Sequence, residues 1–283
     1  MFFRYAPLAT SPTPSIGTLP LLRLNDATLA YDVSGDGMPV VFLHAFPLDR
    51  SMWAPQTSAL RVYYRCVTTD VRGFGESVGA GPMSVDRFAD DIVAILDGLR
   101  IRRAAVVAIS MGGYVAFALW RRHPARVRAL VLADTRAGPD NEDARARRRE
   151  LIELARTHGS AAVAERQLTG LLGKTTRRRQ PEVVAVVRRM MCAASVDGIV
   201  GILEALLARP DSTPTLATID VPTLIVVGDE DVIAPPKEAR AMHQAIASSR
   251  LEIIPQAGHL SNLERPAAFN AVLTEFLTTL EAG

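Results

Sequence analysis

The stretch Ala104-Ala105-Val106-Val107-Ala108-Ile109-Ser110-Met111-Gly112-Gly113 sets a serine between an unbroken apolar run and the start of a helical pattern. The run predicts a strand, and Met111 to His123 a helix. A serine at such a junction sits on a tight strand-to-helix turn, with its backbone strained and its oxygen exposed. The residues two positions to either side must be small, and they are Ala108 and Gly112. Behind the serine, the first N–H groups of the helix lack intrahelical acceptors and favour negative charge. Patterns of this kind arise by chance in roughly one or two chains in ten of this length. The flanking strand and helix therefore carry the weight.

On either side of this junction, strands and helices alternate. Pro20-Leu24, Ala27-Val33, Val40-His44 and Arg65-Thr69 read as strands, with a turn at Gly35-Asp36-Gly37. Val85, Phe88, Ile92, Ile95 and Leu99 fall on one face of a helix. The strand Val127-Asp134 follows the Ser110 helix. Beyond Pro222 come the strand Thr223-Val227, a helix near Lys237-Ile246, the strand Leu251-Ile254 and a last helix with Phe269, Leu273 and Phe276 inward. Strands joined by helices predict an α/β fold with a mostly parallel twisted sheet flanked by helices. Residues 138–210 differ: strands vanish, charge rises, and helices are expected at Asp143-Thr157, Pro181-Cys192 and Val196-Ala208. That block reads as a helical cap inserted into a core made of residues 19–137 and 211–283, behind a flexible leader at 1–18.

A serine hydroxyl is a poor nucleophile until a base takes its proton. Of the five histidines, His123, His158 and His243 read as surface residues at helix ends or in charged helices. His259 lies on a loop after a strand end, where it can reach a serine at another strand end. A carboxylate must orient that histidine. Asp229 and Asp231 both lie just past the strand ending at Val227, and spacing alone does not separate them.

Taken in order, these features resemble the α/β-hydrolase superfamily from about residue 19 to 280. His44-Ala45-Phe46-Pro47 is similar to its His-Gly oxyanion strip, and Asp70-x-Arg72-Gly73-x-Gly75-x-Ser77 to its Gly-rich loop. Gly228-x-x-Asp231 matches the acid motif and so favours Asp231 over Asp229. Gly258-His259, with Glu264 and Pro266 following, resembles the stretch around the catalytic histidine. The resemblance implies the α/β-hydrolase fold, with Ser110 as nucleophile, His259 as base and Asp231 as its orienting acid. It also implies an oxyanion hole from the backbone N–H groups of Phe46 and Met111, with His44 bracing the strip. Ala45 and Ala108 stand where the family usually has glycine, and neither change removes a functional group.

Within that superfamily, members with an Asp nucleophile are excluded by Ser110, and proline iminopeptidases tend to carry Trp where this chain has Met111. Ser110-Met111-Gly112-Gly113 and Leu130-Val131-Leu132-Ala133-Asp134-Thr135 are similar to 3-oxoadipate enol-lactonases and small esterases. The His44 strip points to the broader esterase group. The expectation is a carboxylic ester hydrolase acting on a small to medium hydrophobic ester or lactone. Met190, Met191, Ile202, Leu203 and Leu206 of the cap are expected to roof its pocket. The alternatives are a ligand sensor that has lost turnover, or a perhydrolase or haloperoxidase-type activity.

Composition narrows the partners. Of 283 residues 48% are hydrophobic, and 32 basic side chains against 30 acidic ones give +2. That is too little charge to argue for nucleic acid. Lysine occurs only at 174 and 237, so the basic side is almost all arginine. Arg145, Arg147-Arg149 and Arg177-Arg179 read as solvated helix faces. Cys66 and Cys192 lie far apart in apolar and helical settings, so both are expected as buried free thiols. The run Ala104-Trp120 is short and glycine-broken for a membrane span. The sequence reads as cytoplasmic, with no cofactor, no metal and no membrane partner implied, and a homodimer left open.

Overall fold

The computed structural model describes residues 20–281; the expected leader lies outside them. The first strands are β1 (Leu21–Arg23), β2 (Ala27–Ser34) and β3 (Met38–Leu43), followed by helix α1 (Ala54–Leu60). Next come β4 (Tyr64–Thr69), the short β5 (Val78–Gly79) and α2 (Val85–Gly98). The central unit is β6 (Ala104–Ile109), α3 (Met111–Arg122) and β7 (Val127–Ala133). The helical block holds α4 (Glu142–Leu171), α5 (Lys174–Arg179), α6 (Pro181–Ala193), α7 (Val196–Ala208) and α8 (Thr213–Leu216). The chain then returns with β8 (Thr223–Gly228), α9 (Pro236–Ala245), β9 (Ser249–Ile254), α10 (Ser261–Glu264) and α11 (Pro266–Thr279).

Among the described residues nine strands make one sheet in the order β1-β2-β4-β3-β6-β7-β8-β9, with β5 on β2. From β4 through β9 every pairing is parallel, and β2 is antiparallel to β1, β4 and β5. Strand alternation sorts the core onto two faces. Val41, Leu43, Val106, Ala108, Leu130 and Leu132 pack with α2, α3 and α9. Val40, Phe42, Ala105, Val107, Ala129 and Val131 pack with Trp53, Leu60 and the inward residues of α11. The strand order turns back on itself between β3 and β6. In open α/β sheets the crevice beyond the strand ends at such a switch point is where ligands bind. Ser110 follows β6 and Phe46 lies three residues past β3, so both sit at that crevice.

Helix α4 is longer than the sequence suggests. It continues to Leu171 through a break at Gly159, whose φ of 77° and ψ of −178° suit only glycine. The two halves serve largely different faces, with Val163 past the break still on the face of the first. Leu151, Ile152 and Ala155 join the core that holds Phe46 and Met111. Ala164, Leu168 and Leu171 join the opposite one. Helices α1 and α5 and strand β5 had no clear sequence signal because each is short.

Three expectations need correction. Cys192 is exposed, while Cys66 is buried, because Cys192 falls on the outer side of α6. Met191 packs into the core away from Phe46, so of the proposed roof only Ile202, Leu203 and Leu206 share a cluster with Phe46 and Met111. Arg145 and Arg148 are half-buried rather than solvated. Arg145 donates to the Leu207 carbonyl (2.8 Å), and Arg148 pairs with Asp140. Arg147, Arg149 and Arg177-Arg179 are exposed as expected. Among the described residues no single helix is long and apolar enough to cross a membrane.

Candidate active site

Ser110 has φ 53° and ψ −114°, the strained turn its sequence context predicts. Its N–H donates to the Ala133 carbonyl (2.9 Å), and its own carbonyl accepts from Gly113 N (2.9 Å) and Thr135 Oγ (2.8 Å). The turn needs glycine at 112. A Cβ there would stand 2.4 Å from the Leu43 carbonyl oxygen of the neighbouring strand.

The structure brings Ser110, His259 and Asp231 into one hydrogen-bonded row. His259 Nε2 lies 2.7 Å from Ser110 Oγ, and His259 Nδ1 lies 2.8 Å from Asp231 Oδ2. With the carboxylate as acceptor, Nδ1 carries the ring proton, and Nε2 is left to accept from the serine hydroxyl. Asp231 Oδ1 accepts from Ile233 N (2.8 Å) and Ala234 N (3.0 Å). Burial works against this carboxylate's charge. The imidazole beside it and those two N–H groups nonetheless hold its pKa below the ordinary aspartate value. His259 is moved the other way: burial opposes protonation, but the field of Asp231 and its hydrogen bond raise the pKa above the ordinary histidine value. Asp229 is exposed, and among the described residues the carboxylate that accepts from His259 Nδ1 is Asp231, which separates the two aspartates that spacing could not.

Phe46 and Met111 are both buried. Among the described residues neither backbone N–H is given to a protein acceptor. His44 holds the strip they flank. Its Nε2 accepts from Val71 N (3.0 Å), so its Nδ1 donates to the Ala45 carbonyl (2.9 Å). Burial lowers its pKa and keeps it neutral. His123 pairs with Asp90 (2.7 Å), while His158 and His243 are exposed; none of the three joins the row. A separate cavity of about 850 Å³ lies among Arg103, Trp120, Pro214 and Thr218. It opens at the opposite ends of the strands, before β6, β7 and β8.

The model of the alpha/beta hydrolase fold family matches residues 38–266 of this sequence. The chain belongs to the α/β-hydrolase family. It is 29% identical over 261 residues to 3-oxoadipate enol-lactonase 2 of Acinetobacter baylyi, covering 89% of this chain and 96% of the relative. A thermophilic esterase from Thermogutta terrifontis superposes with a TM-score of 0.89 at 36% identity, covering 92% of this chain and 99% of the esterase. The enol-lactonase of Burkholderia xenovorans LB400 superposes at 0.85 with 32% identity, covering 92% and 100%.

Three further residues of this α/β-hydrolase hold the loops of the row, and the sequence reading assigned none of them a contact there. Glu264 is buried; its Oε1 accepts from Gly258 N (2.9 Å) and Leu260 N (3.2 Å), and its Oε2 from Gly173 N (2.9 Å). It thus clasps the histidine loop and ties it to the start of α5. Glu230 accepts from Thr175 N (2.8 Å) and Thr175 Oγ (2.5 Å), tying the Asp231 loop to the same helix. His259 N itself donates to the Leu171 carbonyl (3.0 Å). The third residue is Asp134, buried at the end of β7 with φ 44°. In sequence it is a charge placed directly after an unbroken apolar strand, within the stretch similar to enol-lactonases.

Proposed function

We propose that this protein is a serine hydrolase that cleaves a carboxylic ester or lactone through an acyl-enzyme. In this mechanism His259 takes the proton of Ser110 as the serine oxygen attacks the carbonyl carbon. The carbonyl oxygen becomes an oxyanion, received by the N–H groups of Phe46 and Met111, each donor worth about 2.7–4 kcal/mol. The protonated His259, stabilised by Asp231, gives its proton to the leaving alkoxide. Water then repeats the cycle in reverse and frees the acid. In a lactone the leaving alkoxide stays tethered to the acyl group, so the same steps open the ring.

The observation that carries this reading is the row Ser110–His259–Asp231 with two uncommitted N–H groups at the switch point of the sheet. Relatives named as esterases and enol-lactonases support the ester or lactone class. Ile202, Leu203 and Leu206 share the apolar cluster of Phe46 and Met111, which favours small to medium hydrophobic acyl or alcohol groups.

Two measurements test it. A fluorophosphonate probe should label the wild-type protein at Ser110, and short p-nitrophenyl esters and lactones should be turned over. Ser110→Ala should lose labelling and at least about 1,000-fold in kcat. A folded wild-type sample that neither labels nor turns over any of the panel would leave the ligand-sensor reading in its place.

A further inference from the structure

Asp134 is a fully buried carboxylate that the mechanism above does not use. Its Oδ1 accepts from Gly228 N (2.9 Å), the last residue of the strand that leads to Asp231. Its Oδ2 accepts from Ser261 N (3.0 Å) and Ser261 Oγ (2.6 Å), two residues beyond His259. Its own N–H donates to the Val226 carbonyl (2.9 Å). One side chain therefore joins the exits of β7, β8 and β9. Among the described residues it has no Arg or Lys partner, and a buried charge without one is costly unless it serves something.

We infer that Asp134 is a positioning residue for the proposed catalytic row, one that holds the Asp231 loop and the His259 loop in register and places a second negative charge beside the imidazole. The inference rests on the serine-hydrolase reading for its consequence in turnover, and on hydrogen-bond geometry for its placement. Both carboxylate oxygens meet donors, so the isosteric amide does not fit: Asn would turn an NH2 toward either Gly228 N–H or Ser261 N–H. The charged groups acting on the imidazole are Asp231, Asp134 and Glu264. On Asp134 they are Asp231 and His259, together with the Ser261 and Gly228 donors; burial and the like charge of Asp231 push its pKa up to about 7. Asp134 thus shares one set of protons with its neighbours. Taking its charge away leaves burial of the ring less opposed, so His259 becomes harder to protonate.

The test is Asp134→Asn, read by turnover and by 15N NMR titration of the His259 ring. The expected result is kcat down about 10- to 100-fold with KM nearly unchanged, and a His259 titration moved to lower pH. A variant with wild-type kcat and an unmoved titration, less stable or not, overturns the inference. Should Asp134→Asn fail to fold, Ser261→Ala removes one donor and leaves the charge. It should lower kcat about fivefold at constant KM, and a wild-type kcat there also overturns it. Fluorophosphonate labelling of the wild type judges the hydrolase reading separately. The NMR titration reports on Asp134 whether or not the wild type turns over.

Discussion

At His259 two opposed influences meet, and in the proposed mechanism their balance sets the working pH range. Burial favours the neutral ring and Asp231 the protonated one, and the carboxylate prevails. The base must be neutral to accept the serine proton, so kcat/KM should fall as pH drops through a value above the usual 6.5 or so. Asp231→Asn removes the prevailing influence. It should cut kcat by about 10,000-fold and move the acid limb below the wild-type position, both read from a pH–rate profile. The places of Ser110, His259, Phe46 and Met111 at the candidate site were legible in the sequence because each sits on a local pattern: a strand end, a turn, a short motif. Asp231 needed the family motif to separate it from Asp229. Asp134 and Glu264 stand in motifs that could be read, but what they hold could not. Their partners, such as Gly228 and Gly173, lie far along the chain, and no local pattern announces a contact that only the closed sheet creates.

Among the elements, strands were the most readable. Those from β3 to β9, β5 excepted, carry apolar runs flanked by turn residues, and the structure places each within about two residues of its expected span. Helix α4 was cut short, because Gly159 ends a helical pattern in sequence but only bends the element in space. The loop before α4 hides another dependence. Asp140, with its side chain 2% exposed, takes Arg136 (2.6 Å) and Arg209 (2.9 Å), and Arg148 as well. Burial alone would raise its pKa, but Arg148 and Arg209 outweigh it and hold the carboxyl far below the carboxylate range. A depressed acid stabilises the fold above its unfolded pKa of about 3.9, and that contribution is lost as pH falls through the folded value. Asp140→Asn should therefore cost about 3 kcal/mol at pH 7. The gap to wild type should narrow by about 1 kcal/mol between pH 7 and pH 3, and close only further into acid, as urea unfolding at the two pH values would record.

Across the whole molecule, the sheet decides what is reachable. Cys66 lies inside it on β4, and burial pushes its thiol up to about 12, keeping it neutral. Cys192 stands on the exposed side of α6. A disulfide reagent should titrate one thiol in the native protein and two after unfolding in guanidinium. The arginines divide in the same way: most of those on the helical block face solvent, while Arg145, Arg148 and Arg209 turn inward and fasten it. The hydrogen bond from His259 N to the Leu171 carbonyl gives the molecule a natural reporter. That amide is shielded only while the end of α4 stays docked. Its exchange with deuterated solvent, and that of Gly173 N–H held by Glu264, should proceed through one shared opening and yield the same protection factor. Two amide protons would then report in what share of molecules His259 has lost its seat.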